Sequence, residues 1–310
     1  MSDPLDQFRA AIQAALGFAP SRLRPDVFER FPTSERRGDS SGYAKIFGDY
    51  RGGVFGCYRQ GFSGKWFAAD QRTLSAAERT AMQRHIEAAT RQRFAAQREA
   101  WTENAARIAS LWAICGPVVN GDPVARYLAN RGLGGVRPTC IRSHPALDYW
   151  HAGQKLGTFP AMVASVTDAQ GRMIALHRTF LDAQGHKADV PAVRKMTGAS
   201  AKLGGASIKL FSAAPTIGIA EGIETAIAAF LGSGVPTMAA YCANNLSTYR
   251  WPIGTDSLIV FADNDPAGRQ ASETLQARAK QGGLHVKVMK PTRPGDDWCD
   301  VWTKRAEVSA

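Results

Sequence analysis

The clearest pattern of apolar and polar positions lies in the last third of the chain. Ile217-Gly218-Ile219-Ala220 is a short apolar run that stops at Glu221-Gly222. Ile223 to Leu231 is alanine-rich, punctuated by Gly232 and Gly234, and predicts a helix. Val235 to Tyr241 is a second apolar run. Ser257 to Ala262 is a third, running directly into Asp263-Asn264-Asp265-Pro266-Ala267-Gly268. Val286 to Met289 is one more short strand, followed by a tail rich in acids, Asp296, Asp297 and Asp300. Strands alternating with helices predict a parallel sheet flanked by helices, with ligands outside the carboxyl ends of the strands.

The earlier chain follows other periods. Asp6 to Leu16 predicts a helix, with Phe8, Ile12 and Leu16 on one face. Pro20 to Asp70 is dense in glycine, aromatic and basic residues, and Tyr43–Phe47, Gly53–Tyr58 and Lys65–Ala68 read as short strands. Residues 75–115 lack proline and glycine and read as a long helix, opened by a capping box of Ser75 and Glu78. Its apolar positions are sparse before Trp101, Ile108, Leu111 and Trp112, so its first half is expected to bridge domains in solvent. Pro123 to Asn130 predicts a short helix. Ala161–Val166 and Met173–Leu181, joined at Asp168-Ala169-Gln170-Gly171, predict a hairpin. The expected division is a small basic and aromatic β-rich module (1–72), a linking helix (73–118), an α+β subdomain with a basic segment (119–212) and the parallel-sheet domain (213–305).

Composition narrows the setting. At 310 residues the chain can hold two or three compact units. No apolar stretch approaches the ~20 residues of a membrane span, and Met1-Ser2-Asp3-Pro4 does not open a signal peptide, so no membrane association and a cytoplasmic location are expected. Cys57, Cys115, Cys140, Cys242 and Cys299 are scattered without a CxxC pair, which predicts neither a zinc ribbon nor a disulfide framework. A net charge of +11 points to a polyanionic partner, nucleic acid before membrane. Arg30, Arg36, Arg37, Lys45, Arg51, Arg59 and Lys65 interleave with Phe31, Tyr43, Phe47, Phe55, Tyr58, Phe62 and Trp66. That combination suits single-stranded nucleic acid, although most of the aromatics are expected to form the core of a small sheet.

The acids carry the chemistry. Aspartates two apart at a strand mouth point the same way, and a carboxylate from a neighbouring strand can complete a set of hard oxygen ligands. Magnesium suits such a set, with manganese as an alternative. The competing reading is that Asp263 and Asp265 cap the helix that Pro266 opens.

Glu221-Gly222 after the first strand, Asp263-x-Asp265 after a later one, and Pro294-Gly295-x-Asp297-x-x-Asp300 at the end resemble the Toprim domain. That fold is shared by bacterial-type primases, topoisomerases and some nucleases. The resemblance implies that Glu221 is the general acid/base or metal-linked glutamate, that Asp263 and Asp265 hold magnesium, and that Asp297 and Asp300 are outer acids. Glu224 departs from replicative primases, which more often carry aspartate or another residue there, and its role stays open. The order of hairpin, basic segment and Toprim unit is similar to a primase catalytic core, and the N-terminal stretch resembles segments of plasmid and phage primase-like proteins. By that similarity Arg178, Arg194, Lys195 and Lys202 would line a groove for template and triphosphates.

The function expected is therefore a DNA primase-like nucleotidyltransferase that makes primers on single-stranded DNA, with magnesium and without zinc, in plasmid or phage replication. A Toprim nuclease and an inactive single-strand-binding accessory are the alternatives; a topoisomerase would need a strand-cleaving tyrosine in a further domain. No Gly-x-x-x-x-Gly-Lys-[Ser/Thr] loop occurs, so a replicative helicase would be a separate partner.

Overall fold

The structure is a computed structural model that describes residues 3–35, 39–68 and 75–308, with backbone only for 306–308. Arg36 and Arg37 of the basic stretch lie outside the described residues. The chain divides into two units, residues 1–99 and 100–310.

In the first unit, helix α1 (Pro4–Leu16) is opened by Asp3, whose side chain accepts from Leu5 N–H, and closed by Gly17 in the left-handed region. Its buried stripe, Phe8, Ile12 and Leu16, packs on an antiparallel sheet of β1 (Glu29–Phe31), β2 (Gly42–Ile46), β3 (Gly52–Cys57) and β4 (Phe62–Phe67). Gly53 must be glycine for this contact, since a Cβ there would meet the Phe8 ring at 2.8 Å. Phe31, Tyr43, Phe47 and Phe55 are core, whereas Tyr58 and Phe62 stay exposed. The long helix α2 (Ala76–Ile114) begins at the capping box, with Glu78 N–H donating to Ser75 Oγ and Ser75 N–H to Glu78 Oε2. The expectation of a solvated first half is overturned. Met82, Ile86 and Ala89 are buried against Phe47 and Val54, because spacings of four and three residues make one apolar stripe even among many charges.

In the second unit, the last turns of α2 bury Ile108. An antiparallel sheet follows, in the order β5 (Gly116–Pro117), β6 (Ile141–His151), β7 (Gln154–Thr167), β8 (Met173–Phe180) and β9 (Arg194–Met196). Helix α3 (Pro123–Asn130), N-capped by Asp122, lies before β6. A second sheet holds the parallel strands β10 (Thr216–Ala220), β11 (Thr237–Ala239), β12 (Ser257–Phe261) and β13 (His285–Met289), in the order β11-β10-β12-β13. Helices α4 (Ile223–Ser233), α5 (Ala243–Thr248), α6 (Pro266–Gln281) and α7 (Trp298–Val308) alternate with them. The mixed α/β class with a Toprim-like parallel sheet is as expected.

Period two decides which core each side chain joins. Ile217, Ile219, Leu258 and Val260 face Leu246, Leu275 and Ala279 of α5 and α6. Ala220 and Phe261 face the opposite core, with Ile227 of α4, Tyr127 and Leu128 of α3, and Met162 of β7. That second core is shared by both sheets. Ser207 and Ile208 tie them through the backbone: Thr167 N–H donates to Ser207 at 2.9 Å, and Ile208 N–H to Ala239 at 2.8 Å.

Ile86→Ala is expected to cost about 2–5 kcal/mol, the range for a buried aliphatic truncation. Arg91→Ala, on the exposed side of the same helix, should stay within about 0.5 kcal/mol. Urea unfolding followed by circular dichroism compares the two.

Candidate active site

The register of the parallel sheet sets Ala220 beside Phe261 and Phe261 beside Met289. Three neighbouring strands thus end level, and Glu221, Asp263 and the 296–300 turn leave from one edge. Asn264, which lies between the two aspartates, joins two of these loops. Its side-chain amide donates to the Pro291 carbonyl at 3.0 Å, its N–H to the Asp296 carbonyl at 3.2 Å, and its carbonyl accepts from Gly295 N–H at 2.9 Å. Asn264 is buried. The sequence reading passed over it because its polar partners lie some thirty residues away.

Each acid has a distinct environment. Burial raises the Asp263 carboxyl to about 7, and the nearby charges of Glu221, Asp297 and Asp265 push in the same direction. Its Oδ1 is buried without a hydrogen-bond partner among the described residues. Burial also raises Glu221, aided by Asp265, while the Ala243 N–H and the Arg194 charge pull it back. Asp265 is exposed and caps α6, its Oδ1 accepting from Gly268 N–H at 2.7 Å. The cap and the acid therefore coexist in one residue. Asp297 and Asp300 form a reciprocal box at the start of α7: Asp300 N–H donates to Asp297 Oδ1 at 2.9 Å, and Asp297 N–H to Asp300 Oδ2 at 3.1 Å. Asp296 pairs with Lys304 at 2.8 Å. Among the described residues, no three histidine, cysteine, aspartate or glutamate side chains are gathered tightly enough to cage a metal as they stand. The orphaned Asp263 oxygen and the hard carboxylate set nevertheless fit a divalent cation, which would relieve both the repulsion and the missing partner.

The basic residues separate by strand parity. Residues directly opposite in an antiparallel pair share a face. Arg194 lies opposite Thr179, whereas Lys195 lies opposite Arg178 on the other face. Lys195 donates from its ammonium to the Trp150 carbonyl and stands 4.3 Å over the Tyr149 ring. Arg178 donates to the Met196 carbonyl at 2.9 Å and is lowered from its ordinary value by burial. Lys202 is exposed. Arg194 alone of these four is brought to the acids: its charge acts on both Glu221 and Asp263. Arg194 and Lys195 thus lie on opposite faces of the β8–β9 pair.

Glu224, left open by the sequence, is only 3% exposed. It accepts from the Tyr127 hydroxyl at 2.5 Å and pairs with Arg194 at 3.0 Å. Burial opposes its charge, but the Arg194 guanidinium and the Tyr127 hydroxyl outweigh burial and hold the carboxyl well below its ordinary range. His177, beside this pair, is pushed down to about 4 by burial, and its Nδ1 has no partner among the described residues.

Residues 216–307 match the Toprim domain family, and residues 102–208 match a domain of unknown function, DUF7146. The Toprim resemblance read from the three acidic motifs is borne out. No protein of curated function matches the chain. Similar solved structures include a DNA primase domain from Pseudomonas aeruginosa, at 18% identity over 58% of this chain and 54% of that one, with a TM-score of 0.36. The zinc-binding and RNA polymerase domains of Aquifex aeolicus primase match at 14% identity, over 99% and 85% of the two chains, with a TM-score of 0.40. A DnaG primase catalytic domain bound to ssDNA matches at 15% identity over 69% and 81%, with a TM-score of 0.44. The chain spans about half the length of the Pseudomonas structure. Among the described residues no helix is long and apolar enough to cross a membrane.

The raised Asp263 carboxyl gives a stability test for cation-free protein. An acid whose folded pKa lies above its unfolded value binds more protons when folded, so its contribution is most favourable at low pH and is lost as pH rises through about 7. Asp263→Asn is therefore expected to raise the melting temperature in chelator at pH 8, by an amount that shrinks steadily between pH 7 and 4. Thermal melts across that range check it; a gain independent of pH would contradict the assignment.

Proposed function

We propose that the chain is a primase-type nucleotidyltransferase acting on single-stranded DNA with magnesium or manganese, in plasmid or phage replication. One observation carries the reading. Among the described residues, a buried carboxyl oxygen of Asp263 has no hydrogen-bond partner and lies near three further acids, at the carboxyl edge of a parallel Toprim sheet. A buried carboxyl oxygen that lacks a protein partner and stands beside further acids is the kind of group a divalent cation completes.

Asp263 and Asp265 would hold the cation, with Glu221 beside them and Asp297 and Asp300 as outer acids. When bound, a divalent cation neutralises developing charge on phosphoryl oxygens and helps ionise an attacking hydroxyl. Glu221, its carboxyl raised by burial, is suited to accept a proton from that hydroxyl on one of its carboxylate oxygens. The Asp297–Asp300 box fixes the start of α7 and keeps the Asp297 charge near Asp263. Arg194 adds positive charge where substrate phosphates would lie. Lys202 and, less freely, Lys195 are open to a template strand. Nucleoside triphosphates and single-stranded DNA are the proposed substrates, a replicative helicase is a candidate separate partner, and neither zinc nor a membrane has a part.

Purified protein, single-stranded template, magnesium and labelled ribonucleotides separate the readings by synthesis, degradation or retention alone. Synthesis is expected, and Asp263→Ala/Asp265→Ala should abolish it while the fold and DNA retention persist; full activity in that variant would falsify the site. Template degradation would support the nuclease alternative, and retention alone the accessory.

Retention of single strands should also weaken with salt, at a log–log slope of about −0.7 per phosphate contact. Lys202→Ala is expected to make the slope shallower for all sequences alike, and Lys195→Ala to do so less, because its ammonium already serves the Trp150 carbonyl. An unchanged slope in Lys195→Ala/Lys202→Ala would place the template path elsewhere. Filter binding at several salt concentrations measures it.

A further inference from the structure

Glu224 sits on the first turn of α4, three residues beyond Glu221, yet it is buried. Its two oxygens are divided between two distant parts of the chain. Oε1 takes the Tyr127 hydroxyl of α3, and Oε2 takes the Arg194 guanidinium of β9. The Arg194 side chain is itself 47% exposed. It is within electrostatic range of Glu221 and Asp263 as well. A long guanidinium side chain so placed has a rival arrangement: direct pairing with those two carboxylates. Such a pairing would satisfy the orphaned Asp263 oxygen and occupy the acids. The fold does not adopt it.

We propose that Glu224 is a positioning residue that holds Arg194 off Glu221 and Asp263, keeping those carboxylates open to a divalent cation. The inference rests on the cation reading above. Two features make Glu224 suited to the task. The Tyr127 hydroxyl fixes one carboxylate oxygen, so the group cannot swing away with the arginine. Its burial keeps the Glu224 end of the ion pair out of water, although the Arg194 end is partly exposed. Strand parity supplies the other half of the device, since it turns Arg194 toward α3 and α4 while Lys195 points to the opposite face. Because α3 lies in the DUF7146 match and α4 in the Toprim match, the pair makes the state of the acids depend on both segments.

The test is manganese binding to the full chain without nucleotide, read from the loss of the free-ion paramagnetic resonance signal, with circular dichroism to check each fold. Glu224→Gln keeps an acceptor for Tyr127 but frees Arg194, and is expected to weaken manganese binding by about tenfold or more, the scale of one unpaired unit charge near the site. Arg194→Gln should bind no more weakly than the unaltered protein. Glu224→Gln/Arg194→Gln should return to within about threefold of it, because the group that would invade the acids is gone. A purely structural Glu224 would lower manganese binding only together with a loss of fold in circular dichroism, so a Glu224→Gln protein whose binding falls only as its fold is lost overturns the proposal, as does a folded double variant as weak as Glu224→Gln. So does a Glu224→Gln protein that binds like the unaltered one. If Glu224→Gln does not fold, Arg194→Gln and the double variant carry the test, and weakened binding in either is the overturning result. Unaltered protein that binds no manganese would instead overturn the cation reading, and the positioning role with it.

Discussion

The parallel register of β10, β12 and β13 is the constraint on which the site depends. Ala220, Phe261 and Met289 lie side by side, so the segments that follow them leave the sheet at one level. Burial raises the Asp263 and Glu221 carboxyls there, and neighbouring acids add to it: Glu221, Asp297 and Asp265 act on Asp263, and Asp265 acts on Glu221. The surrounding structure is arranged to hold those acids in place. Asn264 bolts the β12 loop to the 291–296 turn. Gly268 lets α6 begin against the Asp263 carbonyl, where a Cβ would come within 2.8 Å of the oxygen. Asp265 is kept in register by its own cap on α6. Without these ties, the loops could relax apart and relieve the charges.

Much of this was legible in the sequence because it is local. The Asp-x-Asp at a strand mouth, the capping box of Ser75 and Glu78, and the alternation of strand and helix after Ile217 each depend on residues a few positions apart. The strand β6 was missed for an equally local reason. Pro145 interrupts its apolar pattern and argues against a strand, and the structure accommodates the proline with a register shift between His144 and Leu147. The first half of α2 was misread because its three buried positions are dispersed among arginines and glutamates.

What the sequence could not supply is long-range partnership. Glu224 lies on a helix whose residues 223–229 are all buried, so no polar face distinguishes it from a solvent-facing acid. Tyr127 and Arg194 are 97 and 30 residues away from it. The basic segment posed a related difficulty. Arg178, Arg194, Lys195 and Lys202 form one group when read as composition, and only the pairing of β8 with β9 shows that Arg194 and Lys195 face opposite ways. A shift of one residue in that register would exchange their environments.

The two sheets of the second unit are joined in two chemically different ways, and the difference bears on what each join can do. The Ser207–Ile208 segment connects β7 to β11 through backbone hydrogen bonds, which any side chains compatible with the bridge would preserve. The Glu224 knot connects α3, α4 and β9 through side chains and a buried charge, so it depends on the identity of three residues. Stability alone gives little reason for the second join. Burying the Glu224 carboxylate carries a desolvation cost, and an apolar residue of similar volume often serves as well or better. A charged knot placed three residues from Glu221, with an arginine whose charge is felt by Glu221 and Asp263, is better understood as a control on local charge. The backbone staple sets where the antiparallel sheet meets the Toprim sheet, and the ionic knot sets what electrostatic environment the acids experience there.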